Sequence, residues 1–116
     1  MSGLYLIEQE RRRQIDREGY TAEHDDMHAN GELASAALAY LSAYSKADKA
    51  PKIWPWPSWQ WNPKDRLSNL VRAGALFLAE EYRLHRARVP FGEVSSIRDA
   101  AIEVACKINE LKKGDK

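Results

Sequence analysis

The chain has 116 residues, of which 44% are hydrophobic and 30% charged, enough for one globular core and no more. With 18 basic and 17 acidic side chains it carries a formal charge of +1, which excludes a protein held to nucleic acid by bulk electrostatics. A single cysteine, Cys106, excludes an intrachain disulfide, and no apolar run approaches the roughly 18 residues of a membrane span. No signal-peptide pattern opens the chain. The expectation is a soluble, cytoplasmic, single helical domain over residues 1–116. It has no membrane partner and no sequence-specific nucleic-acid partner.

Leu4 to Glu18 reads as a first helix with a thin apolar stripe, Leu4, Ile7 and Ile15, among charged residues. Arg11, Arg12 and Arg13 within it, flanked by Glu8, Glu10, Asp16 and Glu18, read as a salt-bridged surface. Gly19 suits the helix end, and the polar link after it has room for one helical turn capped by Thr21. The second helix begins at Asn30-Gly31, with Leu33, Ala36, Ala37, Tyr40, Leu41 and Tyr44 at helical spacing. Its alanines allow a neighbouring helix to come close. Asn62-Pro63 predicts the start of a third helix running to Arg86, with asparagine as cap and proline in the first turn. Val89-Pro90-Phe91-Gly92 breaks the chain. Ser96 then predicts the cap of a fourth helix from Ile97 to Lys112, which buries Cys106, and Gly114-Asp115-Lys116 forms a short tail. No strand pattern is present. The fold class is all-α, a compact bundle of four helices built around an antiparallel pair, Gly31–Ser45 against Pro63–Arg86, with Gly74 permitting their close approach.

Between the second and third helices stands a segment that cannot be helical. Trp54-Pro55-Trp56-Pro57-Ser58-Trp59-Gln60-Trp61 holds all four tryptophans of the chain, and its prolines keep the backbone extended. Such a segment is either a clasp over a small core or a stacking platform for a flat ligand. Lys64 and Arg66 follow in the first turn of the third helix, whose free N–H groups favour anions. Aromatic faces beside a basic helix start suit a base and a phosphate together.

Glu23-His24-Asp25-Asp26-Met27-His28 is the densest polar constellation, with Glu32 close behind. On a helix His24 and His28 share a face, and imidazole with carboxylate is a ligand set for a divalent ion. The alternative is that an aspartate caps a turn and the histidines bond to backbone. Glu80 and Glu81 of the third helix are open to the same two readings, magnesium ligands or partners of Arg83 and Arg86. All-α nucleotide pyrophosphohydrolases carry Glu-x-x-Glu followed by Glu-x-x-Asp, and here Glu23-x-x-Asp26 matches the second half alone.

Taken together, Glu10–Ile15, Glu18–His28, Gly31–Ala34, Trp54–Trp56, Pro63–Arg66 and Leu70–Glu80 resemble a group of small proteins encoded by tailed bacteriophages and prophages. The resemblance covers roughly residues 8–86. It implies a phage origin and action inside an infected bacterial host, and it implies little chemistry.

Two functions follow as expectations. One is a non-enzymatic binder that sequesters a nucleotide-derived signal, such as a cyclic nucleotide or an ADP-ribose derivative, and so blocks host antiphage defence. Its site residues are His24, Asp25, Asp26, His28, Trp54, Trp56, Trp59, Trp61, Lys64 and Arg66. Its partners are the nucleotide-like ligand and further copies of itself, and it needs no cofactor, metal or catalytic residue. The alternative is a metal-dependent nucleoside triphosphate pyrophosphohydrolase using Asp25, Asp26, His28, Glu32 and Glu80, or an adaptor that inhibits a host protein by contact.

Overall fold

A computed structural model describes residues 2–114. Within them five helices follow in order: α1 (Gly3–Glu18), α2 (Ala22–Asp26), α3 (Glu32–Leu41), α4 (Arg66–Arg86) and α5 (Phe91–Gly114), with a single 3₁₀ turn at Ser58–Gln60. The described residues contain no strand, and the protein is all-α. No helix among them is long and apolar enough to cross a membrane. Asp115 and Lys116, at the end of the expected tail, lie outside the described residues.

Local chemistry sets the helix ends. The Ser2 hydroxyl accepts from the Tyr5 amide to start α1, and Gly19 ends it at a φ of 74°, a conformation glycine adopts without steric cost. Thr21 caps α2 by accepting from the His24 amide, as its position predicted.

The third predicted start is corrected. Asp65, not Asn62, caps α4, accepting from the Ser68 amide, and the helix begins at Arg66. The Asn69 side chain explains the delay. Its Oδ1 accepts from the Lys64 amide at 2.7 Å and its Nδ2 donates to the Lys64 carbonyl at 2.8 Å, so residue 64 is held ahead of the helix. The last helix is corrected in the other direction. It starts at Phe91, with Pro90 supplying the first helical carbonyl, and the Ser96 hydroxyl donates to Gly92 O inside the helix instead of capping it.

α4 is the central element and packs on all four other helices. Arg66 at its start reaches the end of α3, and Arg86 at its end reaches α2, so α3 and α4 run antiparallel as expected. Ala36, Ala37 and Ala73 are fully buried there. Gly74, however, faces α1 and not α3: a Cβ at this position would stand 2.6 Å from Ile7 Cγ1. The buried residues of α1 are Gly3, Ile7, Arg11 and Gln14, so the expected stripe through Leu4 gives way to one with two polar members. Leu4 is exposed, and so is Cys106, which was expected to be buried.

Candidate functional site

The tryptophan segment folds back over α3 and is held by its own indoles. Trp61 Nε1 donates to Asp48 O at 2.8 Å, and Trp54 Nε1 donates to Pro57 O at 3.2 Å. Both rings close on Tyr40 of α3. Trp61 stacks on it with centroids 4.7 Å apart, and Trp54 meets it edge-on at 5.5 Å. Trp56 packs edge-on against Trp54 at 5.2 Å. Trp59 rides on the 3₁₀ turn and is 80% exposed.

From Trp56 the ring contacts continue into the other stretch that the sequence marked out. His28 meets Trp56 at 5.2 Å, His24 meets His28 at 4.8 Å, and Tyr20 stacks on His24 at 4.7 Å with planes 7° apart. An unbroken line of aromatic contacts therefore joins the loop before α2 to the loop before α4.

Beside this line lies a cavity of about 290 Å³. Tyr20, Tyr40, Trp54 and Trp56 supply its aromatic lining. Gln14, Glu18, Gln60, Asn62 and Arg72 supply its polar groups, and Leu76 adds an apolar contact. Arg72 is oriented by three neighbours. Its Nη1 donates to Asn62 O at 2.7 Å, its Nε lies 3.9 Å from Glu10 Oε2, and its guanidinium carbon sits 5.0 Å from the centre of the Tyr40 ring. Burial, reinforced by the negative charge of Glu18, pushes the Tyr20 phenol up to about 12, so it stays protonated throughout the neutral range.

Gln14 is the least served polar group here. It is 1% exposed, and its Nε2 donates to Glu10 Oε2 at 3.3 Å while its Oε1 has no partner.

The remaining residues singled out from the sequence are placed as follows. Asp25 is fully buried and accepts from Arg11 Nη2 at 2.5 Å and contacts His24 Nδ1 at 3.2 Å. Asp26 pairs with Arg86, whose hydrogen bond holds the carboxyl below its ordinary range. His28 Nδ1 lies 3.4 Å from Glu32. Glu80 is paired with Arg83, and Glu81 with Arg98. Among the described residues no three histidine, cysteine or carboxylate side chains are gathered as a metal would need, so Asp25, Asp26, His28, Glu32 and Glu80 do not form one ligand set.

Arg66 Nη1 donates to Leu41 O and Ala43 O at 2.6 and 3.0 Å, and its guanidinium lies 3.9 Å over the Tyr44 ring. It closes the end of α3. Lys64 and Arg66 line a second, open groove with Tyr44, Lys46 and Asp65, which adjoins the aromatic cavity at Asn62 but adds neither cation to its lining. The cation at the aromatic cavity is Arg72 of α4, further along the chain than the predicted Lys64 and Arg66.

Sequence reasoning did not single out Gln14, Glu18, Tyr20 or Arg72 for the site, and it assigned Tyr40 to the core. One signal was available. Arg11 and Gln14 follow Ile7 at i+4 and i+7, the spacing of a buried helix face. A buried polar residue at such a position needs a partner or a purpose.

No protein-family model, curated protein or solved structure matches this chain.

Proposed function

We propose that this protein is a non-enzymatic binder whose aromatic cavity accepts the nucleoside part of a nucleotide-derived signalling molecule. The observation that carries the reading is the convergence of Tyr40, Trp54 and Trp56 with Gln14 and Arg72 on one cavity. Ligand sites combine mostly apolar and aromatic walls with a few fixed polar groups, and volumes begin near 300 Å³. At about 290 Å³ this cavity has the scale of one nucleoside, and a larger derivative would leave its remainder outside. Stacking of a base on an aromatic ring contributes about 1–3 kcal/mol and tolerates any base. Arg72 adds a cation at the edge of the stack, held in place before a ligand arrives, which limits the ordering cost of binding.

Binding without turnover is supported by the state of the acidic groups. Asp25, Asp26, Glu80 and Glu81 are each paired with an arginine and none of them lines the cavity, and the one carboxylate that does, Glu18, is paired with Arg13 at 3.1 Å. The phage resemblance of residues 8–86 supplies the setting, and the aromatic cavity with its cation suggests the ligand class: a cyclic nucleotide or ADP-ribose derivative, withheld from the host's defence effectors. Self-association belongs to the same reading, with Leu4 and Tyr5 of α1 as exposed apolar surface.

The test is mass spectrometry of small molecules released on denaturing protein purified from defence-signalling bacteria. The reading expects a nucleotide derivative returned chemically intact. Release of a cleaved product would overturn it in favour of a hydrolase.

A further inference from the structure

We infer that Gln14 reads the exocyclic amino group of an amino-bearing nucleobase, adenine or cytosine, by accepting a hydrogen bond at Oε1. The inference rests on the aromatic-cavity reading and adds to it a chemical choice among bases.

The sense of the Gln14 amide is fixed by its neighbour. Both oxygens of Glu10 accept hydrogen bonds from the Arg13 guanidinium at 2.8 Å, so the side chain stands as an acceptor. The amide end that faces Glu10 has to be the NH₂, which leaves the carbonyl oxygen as the free end. That oxygen is buried and accepts no hydrogen bond from the protein. Two donors of the same lining are committed elsewhere: Arg72 Nη1 serves Asn62 O, and Trp54 Nε1 serves Pro57 O. A buried acceptor without a donor is costly, and native proteins seldom leave one without a reason.

Gln14 is part of the lining of the cavity in which the base would stack. The last torsion of a glutamine side chain is broad and roughly twofold, so a modest rotation presents Oε1 to an incoming donor at little cost. The Nε2–Glu10 contact is already long at 3.3 Å, so little is lost if the same rotation weakens it. An amino group on the base edge satisfies the orphaned oxygen. A base that carries only a C–H at that position leaves it orphaned inside a filled cavity.

Two pairs of nucleosides isolate this contact, because the members of each pair differ only by the amine: adenosine against purine riboside, and cytidine against 2-pyrimidinone riboside. Titration calorimetry on the full chain should find the amino member about tenfold tighter in at least one pair. In Gln14→Met, which keeps the side-chain length and removes the acceptor, that ratio should fall to about one. Equal affinities within both pairs in the unaltered protein would overturn the amino-group assignment and leave the aromatic cavity standing. A preference that persists in Gln14→Met would also overturn it, since the amine would then be read elsewhere. Binding of none of the four would overturn the cavity reading together with this one. Equal affinities within the pairs would overturn the assignment on the unaltered protein alone, however well the variant folds.

Discussion

Arg11 and Asp25 form an ion pair inside the protein: Nη2 donates to Oδ2 at 2.5 Å, and the two side chains are 8% and 0% exposed. The pair ties α1 to α2 and places Asp25 beside His24, one ring away from the cavity wall at Tyr20. Among the described residues the Arg11 side chain makes no other hydrogen bond, and its Nε and Nη1 are buried without acceptors. Asp25 is therefore its sole compensating charge among the described residues. Removing one member of a buried pair costs about 3–5 kcal/mol because the other charge is left in the interior. Asp25→Ala should lose stability of that order in urea denaturation, and Asp26→Ala, at an exposed pair with Arg86, should lose much less.

Arg66 leads to a different expectation from the one its sequence position gave. Its guanidinium is occupied by two carbonyls at the end of α3 and by the Tyr44 ring. Arg66→Ala should lower stability by about 1.5 kcal/mol, the scale of a charge-assisted hydrogen bond. It should leave nucleoside affinity within about twofold of the parent once the folded fraction is matched. Arg72→Ala should do the reverse, weakening the affinity of a nucleoside monophosphate more than it weakens the fold. Chemical denaturation and calorimetry on the two variants check the contrast.

Gly74 is required by Ile7. A Cβ at 74 would stand 2.6 Å from Ile7 Cγ1, so the fully buried Ile7 side chain would have to shift within the core. Gly74→Ala should destabilise by about 1–3 kcal/mol through overpacking, despite alanine's better helix propensity. Shortening the opposing side chain in Gly74→Ala/Ile7→Val should recover part of the loss. A thermal melt of the single and double variants measures it.

The helices were readable wherever apolar spacing alone decided them. Leu33, Ala36, Ala37 and Tyr40 gave α3, and Leu70, Phe77 and Leu84 gave α4. Several errors came from polar side chains whose role is decided by a partner that composition and spacing do not reveal. Nothing local distinguishes Asn62 from Asp65 as a cap until Asn69 is seen clasping Lys64. Nothing in Arg11-Arg12-Arg13 marks the first arginine as buried until Asp25 is seen facing it. Two halves of the candidate site, the His24–His28 stretch and the tryptophan segment, were visible as composition, while their junction through His28 and Trp56 is purely tertiary. Gln14 went unnoticed because a polar residue on a polar helix carries no contrast.

The Asp65 cap gives a pH-dependent expectation. The Ser68 hydroxyl donates to Asp65 Oδ1 at 2.6 Å, and this bond, against some burial and with help from the Ser68 amide, holds the carboxyl below its ordinary 3.8. A lowered folded-state value means that the stabilisation is fully present above pH 3.8 and is lost as pH falls through the folded value. Asp65→Ala should cost about 1 kcal/mol at neutral pH. The difference from the parent should shrink below pH 3.8, whereas Asp65→Asn should remain close to the parent at neutral pH. Urea midpoints for the three proteins at pH 7 and at about pH 3 provide the comparison.

The most direct test of the aromatic cavity is tryptophan fluorescence during adenosine titration in a Trp59→Phe background. This substitution removes the one indole that is 80% exposed and leaves Trp54, Trp56 and Trp61 as reporters. The account predicts a saturable quench with adenosine, abolished by Trp56→Leu and retained in Arg66→Ala. An emission spectrum that adenosine does not change, or a quench that survives Trp56→Leu, would contradict it and leave the tryptophan segment as a clasp over the core.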